Sequence, residues 1–336
     1  LKAEPQEGIS REDLFHFYND IGRFLSDKRQ YLQQFGRSII PLEREASGDY
    51  DKALQQEYYS GVAARYQHIE ANLDLQRPGK MEQLQDGFAD DSLVIKNGAS
   101  RQGKSTLSYR FAHDNYPPGY AFEILLEDGG AEGLEIRQAV EALSRPFNFP
   151  FLLLLDVPPG NESWVVLARH LRAIKNCQIL VTVREEDLNR SSSIGEFAQA
   201  STVKLDLQEP DAKMLFDRLS EEGVMGDFLG FTDAWSIFGQ GGPFLEFAYL
   251  LRSGERLRDR LGNQLSRLRN EAVTGGREKM ALLQLVVFAG AHDCRLDLRL
   301  IAQTSEITAD YSLVIQHLKD EYLVRTSQDG EYLEAL

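Results

Sequence analysis

Hydrophobic residues in the middle of the chain come in short unbroken runs. Leu93-Val94-Ile95, Phe151-Leu152-Leu153-Leu154-Leu155 and Ile179-Leu180-Val181 lack the polar alternation of a half-exposed strand. Segments with helical spacing separate them. Strand–helix alternation with nearly all-apolar strands predicts a parallel sheet covered on both faces. Five strands are expected, over 92–96, 120–126, 151–156, 178–183 and 202–207.

The pattern changes on either side. Upstream, Ser10 and Asp13 form a capping-box pair, and Leu14, Phe17, Tyr18, Ile21, Phe24 and Leu25 follow at helical spacing. Gly36 and Pro41 end that helix, and a second is predicted from about Tyr50 to Leu73. Downstream, helices are predicted over 212–220, 243–251, 255–270, 279–289, 296–304 and 308–318. Residues 322–327 and 331–336 then flank the turn Gln328-Asp329-Gly330, a hairpin signal. Three helices and a hairpin read as a winged helix. The fold class is α/β, in four stretches: a helical segment over 1–80, the sheet domain over 81–207, a helical lid over 208–275 and a winged helix over 276–336.

A chain of 336 residues is long enough for several domains, and 42% apolar with 26% charged residues makes it globular. Lys and Arg total 37 against 52 Asp and Glu, a net charge of −15. That disfavours nucleic acid and anionic membrane as partners. The one locally basic stretch, Arg252 to Lys279, carries eight cations against four acids and is read as a solvated helix face. Two cysteines exclude a disulfide framework. No apolar run is long enough to span a bilayer, and no basic-and-apolar leader opens the chain, so a cytoplasmic location is expected. The start at Leu1-Lys2-Ala3, without Met, suggests a piece of a longer protein.

Candidate chemistry sits after the first core strand. Gly98-Ala99-Ser100-Arg101-Gln102-Gly103-Lys104-Ser105 matches G-x-x-x-x-G-K-[ST], and Thr106 follows. The glycines let backbone N–H groups turn inward toward phosphate oxygens, and the next helix adds its positive N-terminal end. Lys104 would reach the β- and γ-phosphates, and Ser105 would place its hydroxyl on Mg²⁺. Asp156, ending the Leu-rich strand, would hold the same metal directly or through water. Arg184, ending the fourth strand, would lie near the γ-phosphate, because ligands bind beyond the carboxyl ends of parallel strands. Hydrolysis usually needs a carboxylate beside the metal-side Asp, but Val157-Pro158-Pro159 follows Asp156. Glu162 is the nearest substitute, and its plainer reading is an exposed residue at a helix start. Slow hydrolysis, or none in isolation, is expected.

Together these residues resemble the STAND class of signal-transducing P-loop NTPases, in its bacterial antiviral form. The resemblance covers about residues 75 to 336. It rests on Gly103-Lys104-Ser105-Thr106-Leu107, the strand to Asp156, the segment Ile179 to Arg184, and Gly241-Gly242-Pro243, similar to the family's G-x-P signature. The resemblance implies an ATP/ADP switch with Mg²⁺. Nucleotide exchange would drive self-association, and effector and sensor domains would share the full chain. It also implies that Pro243 packs near the adenine. The family's winged helix often adds a His to the β-phosphate just after the hairpin; Tyr332-Leu333 carries none, so that contact would lie beyond Leu336 or be absent. Two alternatives stay open: a DNA-handling ATPase of the initiator type, and a nucleotide-binding scaffold.

Overall fold

The computed structural model describes residues 39–42, 54–55, 58, 64–126, 132–144, 150–158, 160–190, 197, 200–270, 276–291, 296–299, 301, 311–320, 324–326 and 332–335. The helix expected after Ser10 and the hairpin turn lie outside them. Two compact units divide the chain: residues 1–51 with 64–206, and residues 52–63 with 207–336.

In the first unit six strands form one sheet: β1 (Ile39–Pro41), β2 (Leu93–Gly98), β3 (Ala121–Ile124), β4 (Phe151–Asp156), β5 (Cys177–Arg184) and β6 (Ser201–Leu205). Their order is β1-β3-β4-β5-β2-β6. β2 to β6 run parallel, as the unbroken apolar runs predict. The sixth strand corrects the expectation of five. β1 comes from a stretch read as helical, and it pairs antiparallel with β3. Only three residues long, with a Pro at its end, it left no periodic signal.

Helices cover both faces. One face carries α1 (Tyr66–Glu70), α2 (Pro78–Asp90) and α3 (Lys104–Asn115), which pack Ile69, Leu84, Leu107 and Phe111 on Val94, Leu152, Leu154 and Leu180. The other carries α4 (Glu132–Ser144) and α5 (Trp164–Arg172), with Ile136, Val140, Leu167 and Leu171 over Leu93, Ile95, Leu153 and Ile179. α6 (Glu185–Arg190) follows β5 directly. The alternating residues of each central strand therefore feed two separate cores. α2 was not expected, although Pro78 at its first turn is a start signal.

A buried ion pair locks α3 to the chain before α2. Arg110 donates through Nε to Asp74 Oδ2 at 3.0 Å and through Nη2 to Asp74 Oδ1, to Ile69 O at 3.1 Å and to Asn72 Oδ1 at 3.1 Å. Neither charge meets solvent: the side chains are 3% and 1% exposed.

In the second unit, α7 (Glu209–Glu221), α8 (Phe231–Phe238) and α9 (Phe244–Ser253) pack around an aromatic cluster. Trp235 meets Phe231, Phe238 and Phe247 at ring separations of 6.0, 5.7 and 5.3 Å. α8 was not expected; Gly239, with φ 94°, caps its end and was the available signal. α10 (Leu257–Asn270) follows, anchored by Arg260, which donates to the Tyr249 hydroxyl. α11 (Gly276–Ala291), α12 (Tyr311–Asp320) and the small sheet β7 (Leu296–Asp297), β9 (Tyr332–Ala335), β8 (Val324–Thr326) share a core of Leu282, Val286, Ile301, Val314, Leu318, Val324 and Leu333. β8 and β9 pair antiparallel in the expected hairpin. No helix among the described residues is long and apolar enough to cross a membrane.

Asp74→Ala leaves the Arg110 charge buried without its main partner. The expected loss is about 3–5 kcal/mol of unfolding free energy. The double change Asp74→Leu with Arg110→Met should cost clearly less. Denaturant unfolding measures both; a double variant no better than the single one refutes this account.

Candidate functional site

The phosphate loop spans the end of β2 and the start of α3. Gly98 closes β2 beside β6, where a Cβ would press into the Leu205 backbone oxygen and lie 3.2 Å from Leu205 Cβ. Only hydrogen fits between these backbones. Gly103 has φ 77°, the left-handed conformation that turns the chain into α3. The backbone N–H groups of Lys104, Ser105 and Thr106, in the first turn, have no carbonyl four residues back within the helix. A positive helix end therefore stands at the carboxyl edge of the sheet, where an anion is favoured.

Residues from three strands converge there. Ser105 Oγ donates to Asp156 Oδ2 at 2.7 Å, so the two candidate metal ligands meet, from elements 51 residues apart. Arg184 is the register partner of Gly98. Lys104 Nζ lies over the loop and donates to Gly98 O at 3.0 Å and Ala99 O at 2.8 Å. Burial lowers the Lys104 pKa, Asp156 raises it, Arg184 lowers it and Glu186 raises it. Lys104, Asp156 and Arg184 thus share one electrostatic neighbourhood. Of the remaining loop residues, Arg101 is exposed with φ 65°, Gln102 is buried, and Ala99, Ser100 and Thr106 are at least partly exposed.

Two sequence candidates stand apart. Glu162 is exposed in the turn before α5, and its carbonyl accepts from Val165 N at 3.3 Å. Among the described residues its carboxylate makes no hydrogen bond to the loop or to Asp156. Pro243 belongs to the second unit. It is the N-cap of α9, and its carbonyl accepts from Glu246 N and Phe247 N. That is the local helix-start role its sequence context offered. The position after Asp156, Val157, is buried, and its N–H donates to Thr182 O at 2.9 Å. Apolar packing holds the place where a water-activating Glu would stand.

Sequence reasoning missed the residues that hold the loop. Arg77, 4% exposed, donates to Gln102 O at 3.2 Å and to Asp206 O at 3.1 Å, which joins the loop to the end of β6. Lys80 donates to Lys204 O at 2.7 Å and to Asp206 Oδ1 at 3.2 Å. One turn below Ser105, the Tyr109 hydroxyl donates to Glu123 Oε1 at 2.9 Å. Burial, then the Glu123 carboxylate, pushes the Tyr109 phenol far above its ordinary range. Burial also raises Glu123, against the lowering by the Tyr109 hydrogen bond. Lys96, in mid-strand, is fully buried beneath the loop. A cation inside an apolar strand was the visible signal.

The donor set suits a magnesium nucleotide. Mg²⁺ takes few protein ligands and completes its shell with water and phosphate oxygens. One hydroxyl and one carboxylate, beside a lysine and a helix start, match that demand. The described residues hold no cluster of three His, Cys, Asp or Glu side chains suited to a metal bound by protein alone.

No family model matches the chain, and no curated protein matches it. Among solved structures the chain is similar to a Walker-type ATPase of Pyrococcus abyssi, with 12% identity over 79% of this chain and 94% of that one and a TM-score of 0.39. It is also similar to PCH-2 of C. elegans, with 14% identity over 81% and 69% of the two chains and a TM-score of 0.28. Similarity at that level carries no argument about chemistry; the site rests on its own geometry.

Gly98→Ala and Gly103→Ala separate the two roles of glycine in the loop. A methyl group on Gly103 would have nothing within 4 Å and would meet only backbone strain, whereas one on Gly98 would meet the Leu205 backbone. Gly103→Ala should cost about 1–2 kcal/mol, the strain of a left-handed residue with a side chain. Gly98→Ala should cost about 3 kcal/mol, the upper end of overpacking, because a backbone oxygen cannot rotate away. Urea unfolding of both proteins checks the order; a Gly98→Ala protein as stable as the parent contradicts it.

Proposed function

We propose that this chain is the ATP/ADP-binding core of a regulatory switch of the STAND type, working in a cytoplasmic signalling or antiphage defence protein. The observation that carries the nucleotide site is the Ser105–Asp156 contact at 2.7 Å beside Lys104 at a helix start. Residues 98–106 would cradle the phosphates, with Lys104 as their counter-charge. Ser105 and Asp156 would hold Mg²⁺, which neutralises phosphate charge when bound. Arg184, level with Gly98, would distinguish tri- from diphosphate by its fixed cation.

Hydrolysis would be slow or absent in isolation. Val157 supplies no base, and Glu162 is exposed away from the Ser105–Asp156 pair's described contacts. A switch needs tight binding and a change of state more than turnover. In this reading the helices of the second unit would form the lid, with Pro243 toward the adenine, and α11, α12 and the β8–β9 hairpin would form the winged helix. Exchange of ADP for ATP would then drive self-association of the full-length protein, with effector and sensor domains outside this chain. The DNA-handling alternative gains little from α12, whose described exposed residues are Ser312, Leu313, Gln316 and His317. None carries the fixed positive charge used on phosphate backbones.

Release of nucleotide on denaturation, identified by chromatography, tests the reading. The parent should yield stoichiometric ADP, or bind added ADP and ATP. Lys104→Ala should lose about 10- to 100-fold in affinity, the range for a charge-assisted hydrogen bond. Asp156→Ala should lose the magnesium dependence of binding. A parent that neither carries nor binds nucleotide undoes the switch reading and leaves a scaffold with a dead nucleotide site. A full-length protein whose size ignores ADP and ATP sinks the switch.

A further inference from the structure

Lys96 lies two residues before Gly98 on β2, fully buried, on the face that α3 covers. Its Nζ donates to the Lys104 carbonyl and to Ser108 Oγ. Ser108 Oγ in turn lies 3.3 Å from Thr182 Oγ1 on β5. Lys96 thus grips the first turn of α3 at the residue that defines the phosphate loop. An ammonium in this position needs a reason. A buried cation is costly, and a buried Lys is among the rarest of core residues. An apolar side chain on β2 would have served packing alone.

The charges around it are few. α3 brings Lys104, β4 brings Asp156, and β5 brings only the Thr182 hydroxyl. On β6 the register partner of Lys96 is Val203. From α2, Lys80 is engaged with Lys204 O and Asp206. Burial pushes Lys96 down to about 7, while Asp156 raises it and Lys104 lowers it. Bound phosphate would add negative charge on the far side of the same helix turn. That charge favours the protonated form of Lys96 and, by linkage, the protonated form favours phosphate.

We propose that Lys96 is a positioning residue of the nucleotide site: a buried cation one layer beneath the phosphate loop that fixes the Lys104 carbonyl, balances the anion held above it, and ties nucleotide affinity to pH. This inference rests on the nucleotide-binding reading. The sign follows from the linkage. Binding takes up protons, and affinity falls as pH rises above about 7, toward the higher pKa of the bound form.

Calorimetry with ADP, first in EDTA and then with magnesium, tests it from pH 6 to 8.5 in buffers of different ionisation enthalpy. The parent should lose about tenfold in affinity across that range, as one unit of pKa difference between free and bound forms requires. It should also take up part of a proton near neutrality. Lys96→Met should bind like the parent at high pH, without the gain at low pH. Lys96→Arg, always charged, should restore tight binding but not the slope. The terminal phosphate of ADP titrates alike in all of them. Ser108→Ala removes an acceptor from the ammonium and should move the midpoint to lower pH, which keeps the test open if the Lys96 variants fail to fold. A flat parent profile, a Lys96→Met profile with the parent's slope, or an unmoved Ser108→Ala midpoint overturns the inference. A parent that binds ADP through Lys104 with a flat profile defeats this inference alone. A parent that binds no ADP at any pH defeats the nucleotide reading itself.

Discussion

The seating of α3 on the sheet is the constraint on which the site depends. A phosphate loop must expose backbone N–H groups at one end of a helix whose body is buried. The two demands meet in a polar layer between α3 and the strands. Lys96 holds Lys104 and Ser108, Ser105 meets Asp156, and Tyr109 meets Glu123. Each contact joins the first turns of the helix to a different strand. Leu107 beside them and Phe111 below pack in the apolar core on the same face. The layer costs desolvation, and its hydrogen bonds offset that cost only while all partners are in place.

The loop is also held from the side. Arg77 bridges the Gln102 carbonyl to the end of β6, and Arg110 binds the same helix to Asp74 and Ile69. Arg77 belongs to the chain between α1 and α2, and Arg110 binds that same chain at Asn72 and Asp74. That stretch therefore belongs physically with the phosphate loop, although it carries no nucleotide motif. Guanidinium groups suit this task because one planar fork reaches several carbonyl and carboxylate oxygens at once.

Much of this was legible in the residues. The runs at Leu93, Phe151 and Ile179 marked the parallel strands, since strands buried on both faces cannot alternate. The glycine pattern marked the loop, and Asp156 its metal-side partner. The rest was hidden for physical reasons. β1 is too short to show a period and sits on an edge. α2 carries only Met81, Leu84 and Phe88 as large apolar residues in a charged stretch, and α8, Phe231–Phe238, is about two turns long, too short to establish a period. Lys96 was read as the polar end of a strand that in fact continues to Gly98. Arg77 and Arg110 act on groups 25 and 36 residues away, a pairing that no local pattern contains.

The edge strand β1 has one more meaning. Leu42 N donates to Ala121 O at 2.9 Å, so antiparallel alternation turns the backbone groups of Ile40 toward β3 as well, and those of Ile39 and Pro41 outward. Pro41 has no N–H to offer there. A neighbouring strand approaching that margin finds a ladder with a missing rung, which is how edge strands are blunted against unwanted extension. If copies of this protein gather into an assembly, the growth of one continuous sheet across the β1 margin is a route its covalent structure resists.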